Sequence, residues 1–318
     1  MIGLTLADVA RMTDQPRPER KVLVCGDRET TASQLDLHAT RVANGLWDFG
    51  LEDRERIAIL DHHSDQFYEI WLGAARTNLV LTPLSIHLSA SEVAQVLVDC
   101  GPRVLFIGAD FEELLSQIRP QLTFVEQIIT TGDAYVAWRD EQSTVAAKPT
   151  MKASDDCLQV YTCDSTDLPK GVQLTSDSIF KAPLAALLAG EISPYRDIGP
   201  DDIVLLCLPN GHIAGSILGA LGLAVGARLV VIHDFVPSQI VALIERERVT
   251  LSIMVPAMIR SLVAELKQSG RTCASLNTRI YSAAPMATSV LIKTMEKLPY
   301  SRFGQIYGLM QTSGPISA

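Results

Sequence analysis

An α/β fold built on two mainly parallel sheets with flanking helices is predicted by three observations. Short apolar runs of strand length alternate with amphipathic stretches of helix length from Arg56 to Ile107, the signature of βαβ units. The alternation is interrupted by a small polar loop near Thr162 and resumes from Ile203 to Ile306. The chain has 318 residues, 47% hydrophobic and 20% charged, so it can bury a large core and divide into two lobes.

Taken in order, Thr31-Ala-Ser-Gln-Leu opens a helical pattern whose apolar stripe is Leu35, Val42, Leu46 and Trp47, ending at Gly50. Strands are expected at Arg56–Leu60, Leu79–Thr82 and Val104–Ile107, with helices at Gln66–Arg76 and Ser89–Asp99 between them. Phe124–Thr130 reads as a further strand and Gly132–Ser154 as a polar connection. Leu158–Thr162 and Gly171–Thr175 read as two strands joined by the polar loop, followed by a helix from Ser176 to Gly190 capped by Thr175 or Ser176. Strands then follow at Ile203–Cys207, Ala227–Ile232, Leu251–Met254, Arg279–Ser282 and Arg302–Ile306. The helices between them are Ile213–Ala227, Pro237–Glu247, Ala257–Gln268 and Ala287–Lys297. Ile213–Ala227 is apolar or small throughout, with Gly215, Gly219, Gly222 and Gly226. Its 15 residues fall short of the roughly 18–20 that a spanning helix requires, so it is expected to be a core helix whose glycines allow close packing on a sheet.

Composition excludes several classes of function. A net charge of −9 without a Lys/Arg cluster argues against nucleic acid or an anionic membrane as partner. Cys25, Cys100, Cys157, Cys163, Cys207 and Cys273 are scattered, with no Cys-x-x-Cys pair and no histidine at ligand spacing. That usage fits a reducing compartment and disfavours structural zinc. Charged residues from Asp8 to Arg20 leave no room for a signal-peptide apolar core, so a cytoplasmic location is expected.

The chemistry concentrates in Tyr161–Thr175, YTCDSTDLPKGVQLT. A loop of small hydroxyl residues closed by Pro-Lys-Gly can wrap a polyphosphate: backbone N–H groups and hydroxyls donate, and Lys170 neutralises charge. This loop also carries Asp164 and Asp167.

Tyr161 to Gly171 can be laid without a gap on the phosphate loop Tyr-Thr-Ser-Gly-Thr-Thr-Gly-Leu-Pro-Lys-Gly, and three further motifs follow in order. They are LPNGHIAG (Leu208–Gly215), YSAAP (Tyr281–Pro285) and YGLMQTSG (Tyr307–Gly314). In these residues the chain resembles the large N-terminal part of the adenylate-forming superfamily, which includes acyl-CoA synthetases, luciferases and peptide-synthetase adenylation domains. The resemblance covers roughly residues 20 to 318. It implies the layered αβαβα arrangement of that N-terminal domain, without its β-barrel subdomain and mobile C-terminal domain. One α/β subdomain is expected at 53–190, including the loop, and a second from 1–52 plus 191–318. The reaction implied is activation of a carboxylic acid by magnesium-ATP to an acyl adenylate, followed by transfer to a thiol. The implied phosphate-loop residues are Thr162, Cys163, Ser165, Thr166 and Lys170, and His212 is implied to line the acyl pocket. Ser282, Ala283, Ala284 and Pro285 would contact adenine, with Tyr307, Gly308, Gln311 and Thr312 completing the nucleotide pocket.

The departures from that pattern decide the expected activity. Both loop glycines are replaced, by Asp164 and Asp167, and the serine between Thr162 and Asp164 by Cys163. Backbone strain is the smaller effect, since Asp tolerates left-handed geometry at a cost of about 1 kcal/mol. A carboxylate about 5 Å from one phosphate charge costs about 3 kcal/mol at an effective dielectric near 20, and Lys170 cannot compensate for two of them. Gln311 stands where the family has a magnesium-associated glutamate and lacks the charge that a hard cation prefers. The chain also stops four residues after Gly314, before the family's ribose-binding aspartate and C-terminal lysine. Neither ATP nor magnesium is therefore expected as a cofactor, and no resident metal is expected.

Three functions follow. In the first, the chain is a degenerate homologue that binds a small acyl or carboxylate compound between its lobes, with His212, Asp164 and Asp167 available for acid/base chemistry. The second is an ATP-dependent acyl-adenylate-forming ligase whose remaining part lies elsewhere. The third is a non-catalytic interaction protein, self-associating or bound to a partner on the face that the C-terminal domain would cover. Against these stand plainer readings: Asp164 and Asp167 as a solvated turn, His212 as a satisfied core histidine, His62-His63 as surface loop, and Asp201-Asp202 as a turn before Ile203. Cys163 is a poor nucleophile, because neighbouring carboxylates raise a thiol's pKa.

Overall fold

The structure is a computed structural model that describes residues 4–14, 17–146, 149–162, 169–181, 198–282, 284–299, 301–309 and 314–317. Two sheets organise it. The first has six strands: β3 (Arg56–Leu60), β4 (Val80–Pro83), β5 (Val104–Ile107), β6 (Gln127–Thr130), β7 (Asp156–Tyr161) and β8 (Gly171–Thr175). They lie in the order β6-β5-β3-β4-β7-β8, parallel except for the edge pair β7–β8. The second has seven strands: β1 (Lys21–Cys25), β2 (Arg28–Thr31), β9 (Ile203–Leu206), β10 (Arg228–Val231), β11 (Leu251–Met254), β12 (Thr278–Tyr281) and β13 (Arg302–Gln305). Their order is β13-β12-β11-β9-β10-β1-β2, with only β2 antiparallel. A separate antiparallel pair joins β14 (Tyr307–Leu309) to β15 (Gly314–Ser317).

Helices fill three layers around these sheets. The largest core cluster takes side chains from both sheets and from the helices Leu6–Asp14, Ala32–Asp48, Asp65–Arg76 and Ile213–Ala224, so those four lie between the sheets. Every residue of Asp65–Arg76 is buried, as a helix covered on all sides must be. The outer face of the seven-stranded sheet packs on Pro237–Glu247 and Pro256–Ser269, and that of the six-stranded sheet on Ala90–Cys100 and Glu112–Ile118. Two sheets and three helical layers make the αβαβα arrangement.

The glycine-rich stretch is a core helix, as its length requires, but its glycines serve different neighbours. A Cβ on Gly222 would lie 2.7 Å from Leu229 of β10, whereas one on Gly219 would lie 2.3 Å from the Tyr68 hydroxyl on the Asp65–Arg76 helix. The close approach at Gly219 is therefore to another helix of the middle layer.

Several expectations are corrected. Gly132–Ser154 is not wholly a polar connection: Asp133–Asp140 is helical because Tyr135 and Arg139 bury one face and Trp138 packs against the core cluster. The strand expected at Phe124–Thr130 begins only at Gln127. Trp47, placed on an apolar stripe, is exposed at the end of its helix. The helix Leu6–Asp14 and the hairpin Lys21–Thr31, turning at Gly26 with φ 61°, were not legible. His62-His63 is not surface loop, since His63 is buried where β3 ends against the other sheet. Asp202 does tie the turn before Ile203, accepting from the Gly199 N–H at 2.8 Å and the Thr250 hydroxyl at 2.6 Å. Thr175 is the cap of the helix that begins at residue 176, its hydroxyl accepting from Ser178 N–H at 3.0 Å.

Candidate functional site

Parallel strands direct their C-terminal ends to one edge, where connecting loops can converge on a ligand. Here loops from both sheets meet at such an edge. Asp61 and His63 follow β3, Leu84 and Ile86 follow β4, Cys207, Pro209, Asn210 and Gly211 follow β9, and Ile232, His233 and Phe235 follow β10. Together they line a crevice of about 50 Å³. That volume admits water-sized groups, well below the roughly 300 Å³ at which ligand pockets begin.

The segment after β9 is tightly shaped. His212 caps Ile213–Ala224: its N–H donates to Pro209 C=O at 3.0 Å, and its Nδ1 accepts from Ala214 N–H at 3.2 Å. Gly215 is required because a Cβ there would lie 2.5 Å from the carbonyls of Leu208 and Pro209. Gly211 in turn lies against the Leu84 backbone of the other sheet, 3.0 Å from a Cβ position. Because Nδ1 accepts, the neutral His212 ring carries its proton on Nε2. The residue is exposed, so it is not a satisfied core histidine, but partial desolvation beside the helix start still lowers its pKa, which favours that neutral form. His212 is thus set up as a hydrogen-bond donor, and serving as a base through Nε2 would require breaking the cap.

Asn210 was not singled out from the sequence. It is buried in the crevice wall, and its Oδ1 has no hydrogen-bond partner among the described residues. A buried, unpaired amide oxygen costs free energy and marks a place where a donor can be accepted. The only signal for it was its position inside LPNGHIAG. His63 also lines the crevice: burial, reinforced by the charge of His233, lowers its pKa to about 3 and keeps it neutral. Burial raises the Asp61 carboxyl.

At the phosphate loop, Thr162 follows β7 and Lys170 precedes β8, and Thr162 N–H donates to Lys170 C=O at 3.1 Å. The Thr162 hydroxyl is buried and has no hydrogen-bond partner among the described residues. Cys163, Asp164, Ser165, Thr166 and Asp167 lie outside the described residues, so the proposed pairing of His212 with a loop aspartate does too. Ala283, Gln311 and Thr312 also lie outside them. Ser282 follows β12, its hydroxyl donating to Ile306 C=O at 3.2 Å, and Ala284 and Pro285 after it are exposed. Tyr307 and Gly308 stand on β14, where Tyr307 is exposed. The loop mouth thus belongs to the six-stranded sheet, and the Ser282 and His212 segments to the other.

The cysteines described, Cys25, Cys100, Cys157, Cys207 and Cys273, are free and buried. Among the described residues, no helix is long and apolar enough to cross a membrane.

Comparison with known proteins agrees with this architecture. The fatty acid–[acyl-carrier-protein] ligase ScoC of Streptomyces coeruleorubidus is 30% identical over 309 residues, 97% of this chain and 59% of that protein. The 4-coumarate-CoA ligase 1 of Narcissus pseudonarcissus is 25% identical over 307 residues, 94% of this chain and 55% of that one. The chain therefore spans somewhat more than half the length of these relatives. Among solved structures, the inhibitor-bound N-terminal domain of FACL13 from Mycobacterium tuberculosis superposes with a TM-score of 0.89 at 24% identity, covering 98% of this chain and 77% of that one. The anthranilate CoA ligase AuaEII in complex with anthranoyl-AMP gives 0.90 at 21%, covering 99% and 62%. At such identities the likeness shows the fold, two mostly parallel sheets with flanking helices as in the N-terminal domain of adenylate-forming enzymes. The family profile described as "AMP-binding enzyme" matches residues 11–318, and the chain belongs to that family.

Proposed function

We propose that this chain binds a small carboxylate or acyl compound between two lobes, residues 53–190 and residues 1–52 with 191–318, and that its magnesium-ATP-dependent carboxylate activation is absent or strongly weakened. The observation that carries this reading is the pair Asp164 and Asp167, standing where the resembling phosphate loops have glycine. One carboxylate about 5 Å from a phosphate charge costs about 3 kcal/mol, more than two orders of magnitude in affinity, before the second is counted. Gln311 further weakens the magnesium side. The crevice wall and the helix cap next to it in the chain supply what a carboxylate needs. His212 offers an Nε2–H donor, and the unpaired Asn210 Oδ1 accepts a hydroxyl or amide proton of the same compound. A crevice of about 50 Å³ must widen to take an acyl group, which makes side-chain movement at Ile86 and Phe235 part of binding. Proton transfer by a loop aspartate, with His212 donating a hydrogen bond through Nε2–H unless its cap opens, is the chemistry open to such a site without nucleotide.

A second reading is favoured by the 30% identity to a fatty acid–[acyl-carrier-protein] ligase across 97% of the chain, together with the retained Thr162 and Lys170. It makes this chain the nucleotide-binding part of an ATP-dependent acid–thiol ligase.

Calorimetric titration with magnesium-ATP separates the two. The first reading expects no binding below about 1 mM for the natural sequence, and binding at least about 100-fold tighter in Asp164→Gly/Asp167→Gly, following the Coulomb cost. Titration with octanoate and 4-coumarate should show carboxylate binding that His212→Ala weakens about tenfold, the value of one charge-assisted hydrogen bond. Carboxylate-dependent ATP–pyrophosphate exchange by the natural sequence would overturn the first reading and establish the second.

A further inference from the structure

Across the edge of the crevice, three side chains that nothing in the adenylation chemistry employs come together from the two sheets. His62 follows β3, Asp110 lies in the short turn Ala109–Phe111 after β5, and His233 follows β10 of the other sheet. One donor atom from each lies within 4.8 Å of the others.

The imidazoles are held in a defined arrangement. The His62 ring stacks on His233 with centroids 4.0 Å apart and planes 22° from parallel, and Phe111 packs on it at 5.3 Å. Asp234 approaches the Nδ1 atom of both rings: its Oδ2 is 2.9 Å from His233 Nδ1 and its Oδ1 3.9 Å from His62 Nδ1. Nδ1 of His62 is buried without a hydrogen-bond partner among the described residues, and Nε2 stands 3.6 Å from Asp110 Oδ2, too far for a hydrogen bond. A carboxylate hydrogen-bonded to Nδ1, as Asp234 is to His233, is the outer-shell partner that a metal-ligating histidine uses, since it fixes the tautomer and leaves the Nε2 lone pair for the cation.

We propose that His62, His233 and Asp110 form a divalent transition-metal site that joins the two sheets, with Asp234 positioning the rings. Two imidazole nitrogens and one carboxylate oxygen select zinc, cobalt or nickel over magnesium or calcium, which prefer oxygen. Metal–ligand bonds of about 2.0–2.2 Å place tetrahedral ligand atoms about 3.3–3.5 Å apart, so the three groups must close by about 1–1.5 Å. Asp110 and His233, 74% and 54% exposed, can make that movement, while His62, 20% exposed, is the fixed ligand. The remaining coordination position opens to solvent beside the crevice, because His233 also lines it. A cation there would fasten the loop after β3 to the loop after β10 and lay a Lewis acid at the edge of the carboxylate site.

Cobalt(II) is the probe, because its visible absorption reports imidazole coordination directly. Metal-stripped protein titrated with cobalt chloride at pH 7.5 should bind one equivalent, and zinc should displace it. His62→Ala, His233→Ala and Asp110→Asn should each weaken binding by more than about 100-fold, and Asp234→Asn by about 10–100-fold with the stoichiometry retained. Cobalt should also raise the thermal midpoint of the natural sequence and leave that of His62→Ala unchanged, while circular dichroism shows every variant folded. Absence of a spectral change up to about 1 mM cobalt, far weaker than a built site binds, would overturn the proposal. So would equal cobalt binding by His62→Ala and the natural sequence.

Discussion

Replacing Arg139 by methionine should destabilise the molecule because it leaves a charge buried in the middle layer. The Glu69 side chain is only 2% exposed. Its Oε1 lies 2.8 Å from His38 Nδ1, and its Oε2 accepts from Arg139 Nη1 at 2.7 Å and Tyr135 Oη at 3.0 Å. Burial alone would push the Glu69 carboxyl up, but the hydrogen bonds and charges of His38 and Arg139 outweigh it and hold the pKa below the usual carboxylate range. Breaking a buried pair by removing one partner costs about 3–5 kcal/mol. For 318 residues at about 2.1 cal/mol/K each, the unfolding entropy is about 0.67 kcal/mol/K, so the midpoint should fall by about 4–7 °C at pH 7. The pH dependence has a definite sign. With its pKa depressed, Glu69 contributes stability above the unfolded carboxylate range, and that contribution is lost as pH falls through its folded pKa. Without Arg139 the folded pKa moves up, so acidification relieves the variant and the gap to the natural sequence narrows. Glu69→Gln/Arg139→Met, which leaves no charge behind, should lose less than Arg139→Met alone. Near-ultraviolet circular dichroism melts at pH 7 and pH 5 measure all of these. A midpoint for Arg139→Met within about 1 °C of the natural sequence at pH 7 would refute the reasoning, because it would mean that Glu69 reaches water without its partner.

His63 is neutral in the fold, with a pKa of about 3, and titrates near 6.5 when unfolded, so the unfolded chain binds one more proton between those values. Stability should therefore decline as pH falls from about 6.5 towards 3, by up to about 1.4 kcal/mol per pH unit, and His63→Asn should remove that slope from urea-unfolding free energies. An unchanged slope in the variant would show His63 charged in the fold. Gly219→Ala places a Cβ 2.3 Å from the Tyr68 hydroxyl between two middle-layer helices, and should cost about 1–3 kcal/mol in denaturant unfolding. A stabilised variant, which the higher helix propensity of alanine alone would give, would show that those helices can separate freely.

Most of the fold was legible in local pattern. Apart from β1 and β2, the strands of both sheets and most helices between them follow hydrophobic periods that the tertiary structure has no reason to overrule. The failures share a cause. KVLVCGDRETT is a hairpin whose first strand joins a sheet completed some 200 residues later, and nothing local announces that partner. Asp133–Asp140 is helical because Tyr135, Trp138 and Arg139 meet Glu69 and Phe106 from distant elements. His212 was legible through its motif, but its tautomer was not, because the Ala214 contact exists only once the helix begins at Ile213.

What the sequence by itself determined is family membership and the charge of the loop that resembles a phosphate loop. Ordered motifs and the two aspartates are properties of residue identity, and need no coordinates. Only the tertiary structure decided that His63 is buried and neutral, that Asn210 leaves an oxygen unpaired, and that His62 meets His233 across the two sheets. The physical reason is that burial and proximity are sums over both sheets. His62 and His233 are 171 positions apart in the chain, and they stack because strands of two parallel sheets bring their C-terminal ends to one edge.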